Sequence, residues 1–390
     1  MSPTPISMSD PLAPASYSWE ATDEEVARRS GLPIESIVRF DLNTSPAPPA
    51  LVAGLLARGR FETSLSEYPP SDYRRLAEAA ARVYGVPQDE ILVGAGADEI
   101  LDLVAKAFLR EGDVAVIPTP SYAMYRVLTE QRGARIEAVP RLGPDQGRAI
   151  DRDALRTAAR GALVVWLCNP NNPTGRLEPA GLVASFLADL AVDAAQDARD
   201  APIVVLDEAY SEFVGISLVG LRADYPRLVV VRTASKAYAL AGLRVGFAIA
   251  RRETLARIEP FRPPGSVSTI SVTVVTEALT DPGVLTANLD RVERERTRLR
   301  EALQAAGWRP EPSVTNFLLV PFDDASRAAA VANALLLASL VPRTFPAGHP
   351  LAHCLRLTIR DQPEDDRLIA AAQAIEASGP SARTTTGTQP

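Results

Sequence analysis

The chain of 390 residues has 41 basic residues, of which only Lys106 and Lys236 are lysine. Lys106 lies on a helix predicted from Ala97 to Leu109, four residues after Asp102, and this spacing predicts an exposed ion pair worth about 0.3 kcal/mol. Lys236 follows the apolar run LVVVR, and no acidic residue stands within ten positions of it. An amine without a local acidic partner can lose its proton and attack a carbonyl, so Lys236 is predicted to form a Schiff base.

Three other apolar runs also end in groups suited to chemistry. ILV leads into GAGADE (94–99), where the free backbone N–H groups of a helix start favour an anion. ALVVWLC leads into NPNNPTG (169–175), and PIVVL leads into Asp207 within DEAY. In an open parallel sheet, ligands bind beyond the carboxyl ends of the strands. These ends therefore predict one site that combines an anion cradle, an asparagine turn, an acid and Lys236.

The elements that must position these groups predict an α/β fold. Strands that are apolar throughout and alternate with helices favour a mostly parallel central sheet covered on both faces. One helix is predicted over 71–85, with Ser71 as its N-cap, Val83 on its apolar face and Gly85 as its stop. The predicted strands lie within 91–95, 113–118, 162–168, 202–207, 228–232 and 245–250.

The pattern changes after about residue 260, where PFRPPGSV (260–267) breaks the alternation. Helices over 269–280, 285–306 and 328–341 and strands over 316–322 and 355–360 predict a smaller α+β domain. The predicted organisation is an N-terminal arm (1–45, partly mobile and packed with the small domain), a large domain (46–262), a small domain (263–376) and a flexible tail (377–390).

Composition narrows the class of protein. The net charge is -7, so a nucleic-acid binder is not expected. Two distant cysteines, Cys168 and Cys354, fit neither a disulfide framework nor a zinc site, and no metal is expected. No signal peptide is apparent, and the longest apolar run is too short to cross a bilayer. A soluble cytoplasmic protein without membrane contact is expected.

The segments NPNNPTG, DEAY and SKAYALAGLRVG, in that order and spacing, resemble those of pyridoxal-phosphate-dependent class I/II aminotransferases of fold type I. Within that group the chain is most similar to histidinol-phosphate aminotransferases, over residues from about 35 to 375. The resemblance implies the PLP-transferase fold, with a large domain built on the central sheet and a smaller α+β domain. It also implies pyridoxal 5'-phosphate as the cofactor, which acts as an electron sink.

The resemblance implies roles for residues at the predicted strand ends. Lys236 would hold the cofactor and move the substrate Cα proton, and Asp207 would hold the proton on the pyridine nitrogen. Asn169 and Asn171 are expected to serve the turn itself, since Asn before Pro favours a turn. The other implied cofactor contacts are Asn172 and Tyr210 at the phenolic oxygen, Tyr122 on the ring, and Ala97, Asp98, Ser235, Arg244 and the other subunit's copy of Tyr68 at the phosphate.

The resemblance also suggests substrates. Arg356 would bind a carboxylate, Arg343 the phosphate of histidinol phosphate, and Asn172 would also face the substrate. The implied reaction converts L-histidinol phosphate and 2-oxoglutarate to imidazole acetol phosphate and L-glutamate, in a homodimer with shared active sites. The segments 41–49 and 263–268 depart from the family pattern, so three alternatives stay open: an aromatic amino acid aminotransferase, a phosphothreonine decarboxylase and a non-catalytic cofactor-binding regulator.

Overall fold

The computed structural model describes residues 20–378, and the predicted mobile start of the arm and most of the predicted tail lie outside that range. The chain divides into two compact units, named here the large unit (Ala47–Asn288) and the small unit (Glu20–Pro46 with the chain from Leu289). The strands are β1 (Val38–Arg39), β2 (Ile91–Gly94), β3 (Val114–Thr119), β4 (Arg135–Pro140), β5 (Val164–Cys168), β6 (Ile203–Asp207), β7 (Leu228–Thr233), β8 (Gly246–Ile249), β9 (Phe317–Pro321), β10 (Leu340–Val341) and β11 (Cys354–Thr358).

The helices surround the sheets in both units. They are α1 (Asp23–Ser30), α2 (Leu51–Arg58), α3 (Arg74–Tyr84), α4 (Gly96–Phe108), α5 (Ala123–Gln131), α6 (Arg152–Ala159), α7 (Leu182–Gln196), α8 (Arg252–Ile258), α9 (Thr269–Thr280), α10 (Pro282–Ala305), α11 (Ala325–Leu337) and α12 (Gln362–Ala377). Within the described part of the chain, no helix has the length and apolarity needed to cross a membrane.

The large unit is built on a seven-stranded sheet in the order β2-β8-β7-β6-β5-β3-β4. Strand β8 runs antiparallel to both of its neighbours, and the other pairings are parallel. The mostly parallel sheet predicted from the sequence is confirmed. The edge strand β4 was not predicted, because most of its side chains are exposed or half-buried and it therefore has no continuous apolar run.

Two apolar clusters cover the two faces of this sheet. On one face, Val204 and Leu206 pack with α3, α6, α7 and α9. On the other face, Trp166 and Val205 pack with α4, α5 and α8. Each fully buried aliphatic side chain of this kind contributes about 1.5–3 kcal/mol by leaving water. The sheet is therefore packed on both faces, and this packing holds the polar side chains at the ends of its strands in position.

Helix α3 begins later than predicted. Its N-cap is Tyr73, in a left-handed conformation with φ 47°, and the predicted N-cap Ser71 lies outside the helix. The reason is tertiary: Tyr73 is buried, and its hydroxyl accepts a hydrogen bond from the backbone N–H of Val267. The predicted stop at Gly85 is confirmed by its left-handed conformation, whereas Val83 is exposed rather than buried.

The change of unit falls after Asn288, not after residue 262 as the breaker segment suggested. Helix α9 supplies Val272 and Val275 to the core of the large unit, so the proline-rich segment before it is a turn within that unit. Proline and glycine residues indicate a local turn of the chain. The unit to which the following helix belongs depends on the core against which that helix packs.

In the small unit, β9 pairs antiparallel with β11, and β1 pairs parallel with β10. The helix predicted over 328–341 is α11, which ends earlier, at Leu337. Ser339 then takes a left-handed conformation (φ 58°), and Leu340 and Val341 pair with Val38 and Arg39. Strand pairing with residues about 300 positions away in sequence overrides the local helical pattern.

Candidate active site

The predicted polar residues of the large unit gather at one edge of its sheet. The parallel strands β2, β5, β6 and β7 all end there, and the antiparallel strand β8 begins there. Because β8 runs in the opposite direction, Arg244, which precedes it, reaches the same edge as Lys236, which follows β7. The reversal of one strand therefore brings an arginine and a lysine of one segment to one site.

Asp207 is the last residue of β6 and is 3% exposed. Its Oδ2 accepts a hydrogen bond from the hydroxyl of Tyr125 (2.7 Å), and its Oδ1 accepts one from the backbone N–H of Ala209 (3.0 Å). Burial raises the pKa of Asp207 to about 6, although both hydrogen bonds lower it. The carboxylate is thus held in a fixed orientation and can be charged near neutral pH.

The two lysines have different surroundings, and the ion pair of Lys106 is the one that the sequence predicts. The Nζ of Lys106 lies 2.6 Å from Asp102 Oδ2 in a half-exposed ion pair, so the predicted pair is confirmed. Lys236 is half-buried, and its Nζ lies 6.0 Å from the centroid of the Tyr210 ring. Asn288 donates hydrogen bonds to the carbonyls of Lys236 (3.4 Å) and Ala237 (2.8 Å) and so fixes the backbone of the lysine.

The turn after β5 is held by its own asparagines. Asn171 Nδ2 donates to Thr174 Oγ1 (2.9 Å), and Asn169 Oδ1 accepts from the backbone N–H of Glu178 (2.9 Å). Their predicted role in the turn is confirmed. Asn172 is buried, its peptide bond to Pro173 is cis, and its backbone N–H donates to Cys168 Sγ (3.4 Å).

The N-terminus of α4 forms the next part of the edge, where Ala97 and Asp98 occupy the first turn. Gly96 has φ +84°, and a Cβ there would lie 2.5 Å from Arg244 Nη2. A Cβ at Gly246 would lie 2.6 Å from the backbone nitrogen of Ala97. Both positions require glycine, since β8 and Arg244 pass directly against the helix start.

Side chains converge on the same helix start. Asp98 lies 3.2 Å from Arg244 and accepts a hydrogen bond from the hydroxyl of Tyr122 (2.9 Å). Ser235 is buried, and its hydroxyl and backbone N–H both bond to Thr233 Oγ1 (2.9 and 3.1 Å). A cation, a hydroxyl and free helix N–H groups therefore stand together, which is the donor set that binds a phosphate.

Buried ion pairs hold the DEAY segment against strand β7. Arg232 of β7 donates to Glu208 Oε2 (2.7 Å) and Glu212 Oε1 (2.8 Å), and all three side chains are almost fully buried. Tyr210 lies between these two glutamates in sequence and is itself buried. Tyr125, Arg232, Gly96 and Asn288 were not singled out from the sequence. An i, i+3 spacing from Tyr122 could have indicated Tyr125, but nothing local indicates Asn288.

Three predicted site residues remain, one in the large unit and two in the small unit. Tyr68 is in the large unit and is 88% exposed. In the small unit, Arg343 and Arg356 are cross-strand partners that exchange two backbone hydrogen bonds of 3.0 Å, so their side chains share a face. As predicted, Arg356 faces away from the core formed by Leu355 and Leu357.

Both arginines have contacts within the small unit. Arg356 donates to the backbone carbonyl of Asp41, and its guanidinium lies 5.3 Å from the Phe317 ring centroid. Arg343 Nε lies 3.6 Å from a carboxylate oxygen of Glu20. The face thus carries two adjacent guanidinium groups next to one acid, a suitable arrangement for an anionic ligand.

Comparison with known proteins shows the family to which the chain belongs. A family model for aminotransferases of class I and II matches residues 43–372. The chain is 36% identical to a histidinol-phosphate aminotransferase of Symbiobacterium thermophilum, covering 91% of this chain and 94% of that protein. It is 34% identical to another from Roseiflexus castenholzii, with coverages of 89% and 91%. The chain belongs to the class I and II aminotransferases.

Solved structures of known proteins share the fold. A histidinol-phosphate aminotransferase from Sinorhizobium meliloti, in complex with pyridoxal-5'-phosphate, superposes with a TM-score of 0.81 at 27% identity, covering 93% of this chain and 96% of that one. An L-threonine-O-3-phosphate decarboxylase from Porphyromonas gingivalis has a TM-score of 0.72 at 24% identity, with coverages of 87% and 100%. The second match shows a common fold and does not distinguish the activities.

Pyridoxal phosphate, the cofactor of this aminotransferase, fits the residues at the sheet edge. The glycines 96 and 246 leave a cradle at the start of α4 that a Cβ would fill, and Arg244 borders it. Ser235 lies two residues after Thr233, which pairs with Gly246. Asp207 offers a buried carboxylate for a protonated ring nitrogen, and Lys236 offers an amine for the aldehyde. These groups are the types that could hold the three polar parts of the cofactor: its phosphate, its pyridine nitrogen and its aldehyde.

Proposed function

We propose that this aminotransferase converts L-histidinol phosphate and 2-oxoglutarate to imidazole acetol phosphate and L-glutamate in histidine biosynthesis. The observation that carries this choice is the similarity to proteins named for that activity, at 36% identity over nearly the full length of both chains. The adjacent Arg343 and Arg356 of the small unit support it, because two guanidinium groups suit a phosphate and a carboxylate.

The residues of the large unit receive distinct tasks in this proposal. The cofactor supplies an electron sink at the substrate Cα. Asp207 holds the proton on the pyridine nitrogen, and Asn172 and Tyr210 bond the phenolic oxygen. Lys236 would hold the cofactor through its Nζ, and the same amine would serve as the base that takes up and returns the proton of the substrate Cα.

The phosphate of the cofactor is assigned to the start of α4. The backbone N–H groups of Ala97 and Asp98 would donate to the anion, and Ser235 and Arg244 would add a hydroxyl and a cation that can bind two oxygens. Arg244 would exchange its present partner, the Asp98 carboxylate at 3.2 Å, for phosphate oxygens. The Tyr122 ring would stack on the cofactor ring.

The substrate side is assigned to the arginines and Asn172. Arg356 would bind the carboxylate of the 2-oxo acid, and Arg343 the phosphate of histidinol phosphate. We further propose a cytoplasmic homodimer in which Tyr68 reaches the cofactor phosphate of the partner. Its 88% exposure supports this role, since a second copy would cover the ring. Sedimentation at micromolar concentration should give a dimer, and a monomer with full activity would refute the shared site.

A half-reaction experiment tests the choice of donor. The cofactor-loaded enzyme is mixed separately with histidinol phosphate, phosphothreonine and phenylalanine, and the absorbance of the bound cofactor is followed. We expect a fast change with histidinol phosphate alone. A fast change only with phenylalanine would identify an aromatic aminotransferase, carbon dioxide release from phosphothreonine would identify a decarboxylase, and no response to any donor would favour a regulator.

The variant Lys236→Ala is the control for that experiment. It should lose turnover with every donor, and borohydride reduction of the wild-type enzyme should label one peptide, the one that contains Lys236. Lys106, held by Asp102 at 2.6 Å, should not be labelled. Full activity in Lys236→Ala would overturn the chemical scheme irrespective of the donor.

A further inference from the structure

The hydroxyl of Tyr125 is hydrogen-bonded to Asp207, the acid that the proposed reaction assigns to the pyridine nitrogen. It donates to Asp207 Oδ2 at 2.7 Å, while the backbone N–H of Ala209 donates to Oδ1 at 3.0 Å. The Tyr125 hydrogen bond is the largest effect that lowers the pKa of Asp207 against the burial that raises it. The hydroxyl therefore directly stabilises the charged form of this buried carboxylate.

Tyr125 is itself held without freedom to turn away. Its side chain is fully buried, and its ring stacks on Trp166 with centroids 5.5 Å apart and planes within 4°. Trp166 Nε1 donates to Thr129 Oγ1 (3.2 Å), which in turn donates to the carbonyl of Tyr125 (2.7 Å). Strand β5 and helix α5 therefore fix both the ring and the backbone of the tyrosine.

The same side chain contacts a second group of the site. Its ring packs edge-on against Tyr122, with centroids 5.6 Å apart and planes at 86°. Burial and the nearby Asp207 carboxylate raise the pKa of Tyr125 well above its ordinary value, so its phenol remains protonated and always donates. The ring has a packing role that phenylalanine could keep, and the hydroxyl has a separate contact that phenylalanine would lose.

We propose that Tyr125 is a positioning residue of this aminotransferase: its hydroxyl holds the Asp207 carboxylate charged and aimed at the pyridine nitrogen of the cofactor. The proposal rests on the assigned use of pyridoxal phosphate and not on the identity of the amino donor. Tyr125 touches neither substrate nor reacting atom in this scheme. It acts through Asp207, in the same way that residues hydrogen-bonded to metal-binding side chains orient those side chains.

The test compares Tyr125→Phe with Tyr225→Phe. Tyr225 is a matched control, because it is also buried and its hydroxyl also donates one hydrogen bond, to the carbonyl of Pro202 at 3.0 Å. Pyridoxal phosphate is titrated into each apo-protein between pH 5 and 8, and the 15N chemical shift of [15N]pyridoxal phosphate reports whether its ring nitrogen is protonated.

We expect Tyr125→Phe to weaken cofactor binding about tenfold at pH 7 and to move the acidic midpoint of binding up by about one pH unit, the size expected for loss of a hydrogen bond to a charged group. The 15N shift should move toward the unprotonated ring. Tyr225→Phe should leave all three readouts at wild-type values. If the two variants lose similar stability and neither changes these readouts, Tyr125 is a packing residue only.

A second substitution keeps the proposal testable if Tyr125→Phe does not fold. Replacing Tyr125 with 3-fluorotyrosine retains the ring and makes the phenol a better donor, so the acidic midpoint should move down, opposite to the effect of phenylalanine. An unchanged or raised midpoint would overturn the proposal. Wild-type protein that binds no pyridoxal phosphate would instead refute the assigned cofactor, so the two failures are distinguishable.

Discussion

Two buried aspartates, Asp207 in the large unit and Asp365 in the small unit, both have pKa values raised by burial. They differ in their position and in their hydrogen-bond partners. Burial raises the pKa of Asp207 to about 6 and that of Asp365 to about 8. Asp207 ends a strand, and both of its oxygens accept hydrogen bonds. Asp365 lies within α12; its Oδ1 accepts from the backbone N–H of Arg360, and its Oδ2 has no hydrogen-bond partner among the described residues.

The comparison separates two meanings of a raised pKa. A perturbed carboxyl group is a candidate functional residue, but structural clusters perturb it too. Around Asp365, Glu295 raises the pKa while Arg298 and Arg291 lower it, so the cluster balances charge inside the small unit. The two donors to Asp207 are neutral and directed, and the charges of Asp98 and Lys236 act on its pKa as well, in opposite directions. Position at a strand end and directed donors, more than the size of the shift, distinguish the residue assigned to the cofactor.

The largest expected effect is that of Asp207→Asn. An amide cannot hold the protonated pyridine nitrogen by a charge-assisted bond, and breaking a buried pair costs about 3–5 kcal/mol. We expect kcat/KM to fall by about 10²- to 10³-fold, measured with the best donor from the half-reaction experiment. Asp365→Asn is the matched control and should stay within about twofold of wild type. Equal losses in the two variants would erase the distinction between the two aspartates.

The next effect tests whether the sheet edge beside Asp207 is shaped for an anion. Gly96→Ala would place a methyl group 2.5 Å from Arg244 Nη2 at φ +84°. The guanidinium must move, and pyridoxal phosphate should bind roughly tenfold more weakly to the apo-protein. Gly85→Ala controls for backbone strain, because it has φ +63° and open space around it. It should lose about 1 kcal/mol of stability and keep its cofactor affinity; a parallel loss of affinity would count against the cradle.

A smaller effect concerns the stability of Asp365→Asn. The folded-state pKa of Asp365 is raised to about 8 from an ordinary value of 3.8, so the folded state binds more protons than the unfolded state between these values. Wild-type stability should therefore fall as the pH rises from about 4 to 8. The variant lacks this loss and should be more stable than wild type at pH 8 by about 1 kcal/mol or more, and nearly equal at pH 4, in urea unfolding. Curves that stay parallel across this range would contradict the assignment.

The smallest expected effect is that of Glu295→Gln. Removing this charge lowers the folded-state pKa of Asp365, so the fall in stability should still begin near pH 4 but should end at a lower pH and be smaller in total. The variant also loses the 2.8 Å pair between Glu295, which is buried, and Arg298, which is partly exposed, and the neutral amide avoids leaving a buried charge. Urea unfolding at pH 5 and 8 measures both. Cofactor affinity should not change, and a change would mean that the two buried acids are coupled.

Local sequence was sufficient for the strand ends and for short-range pairs. Apolar runs that are followed by Asn169, Asp207 and Lys236 predict strands with polar residues at one edge, because parallel strands buried on both faces are apolar throughout. The ion pair of Lys106 with Asp102 follows from helical spacing alone. The start of α3 did not follow, since it depends on Tyr73 packing against Val267.

What the sequence by itself determined is the chemistry: the residue types at the strand ends, their order, and the family they indicate. What only the tertiary structure decided is which distant residues support them. Tyr125 and Asp207 are 82 positions apart, and Asn288 lies 51 positions from Ala237. Arg244 reaches the helix start at Gly96 only because β8 runs antiparallel. Motifs are local and survive as patterns in the sequence, whereas hydrogen bonds between distant segments exist only after the sheet has aligned its strands.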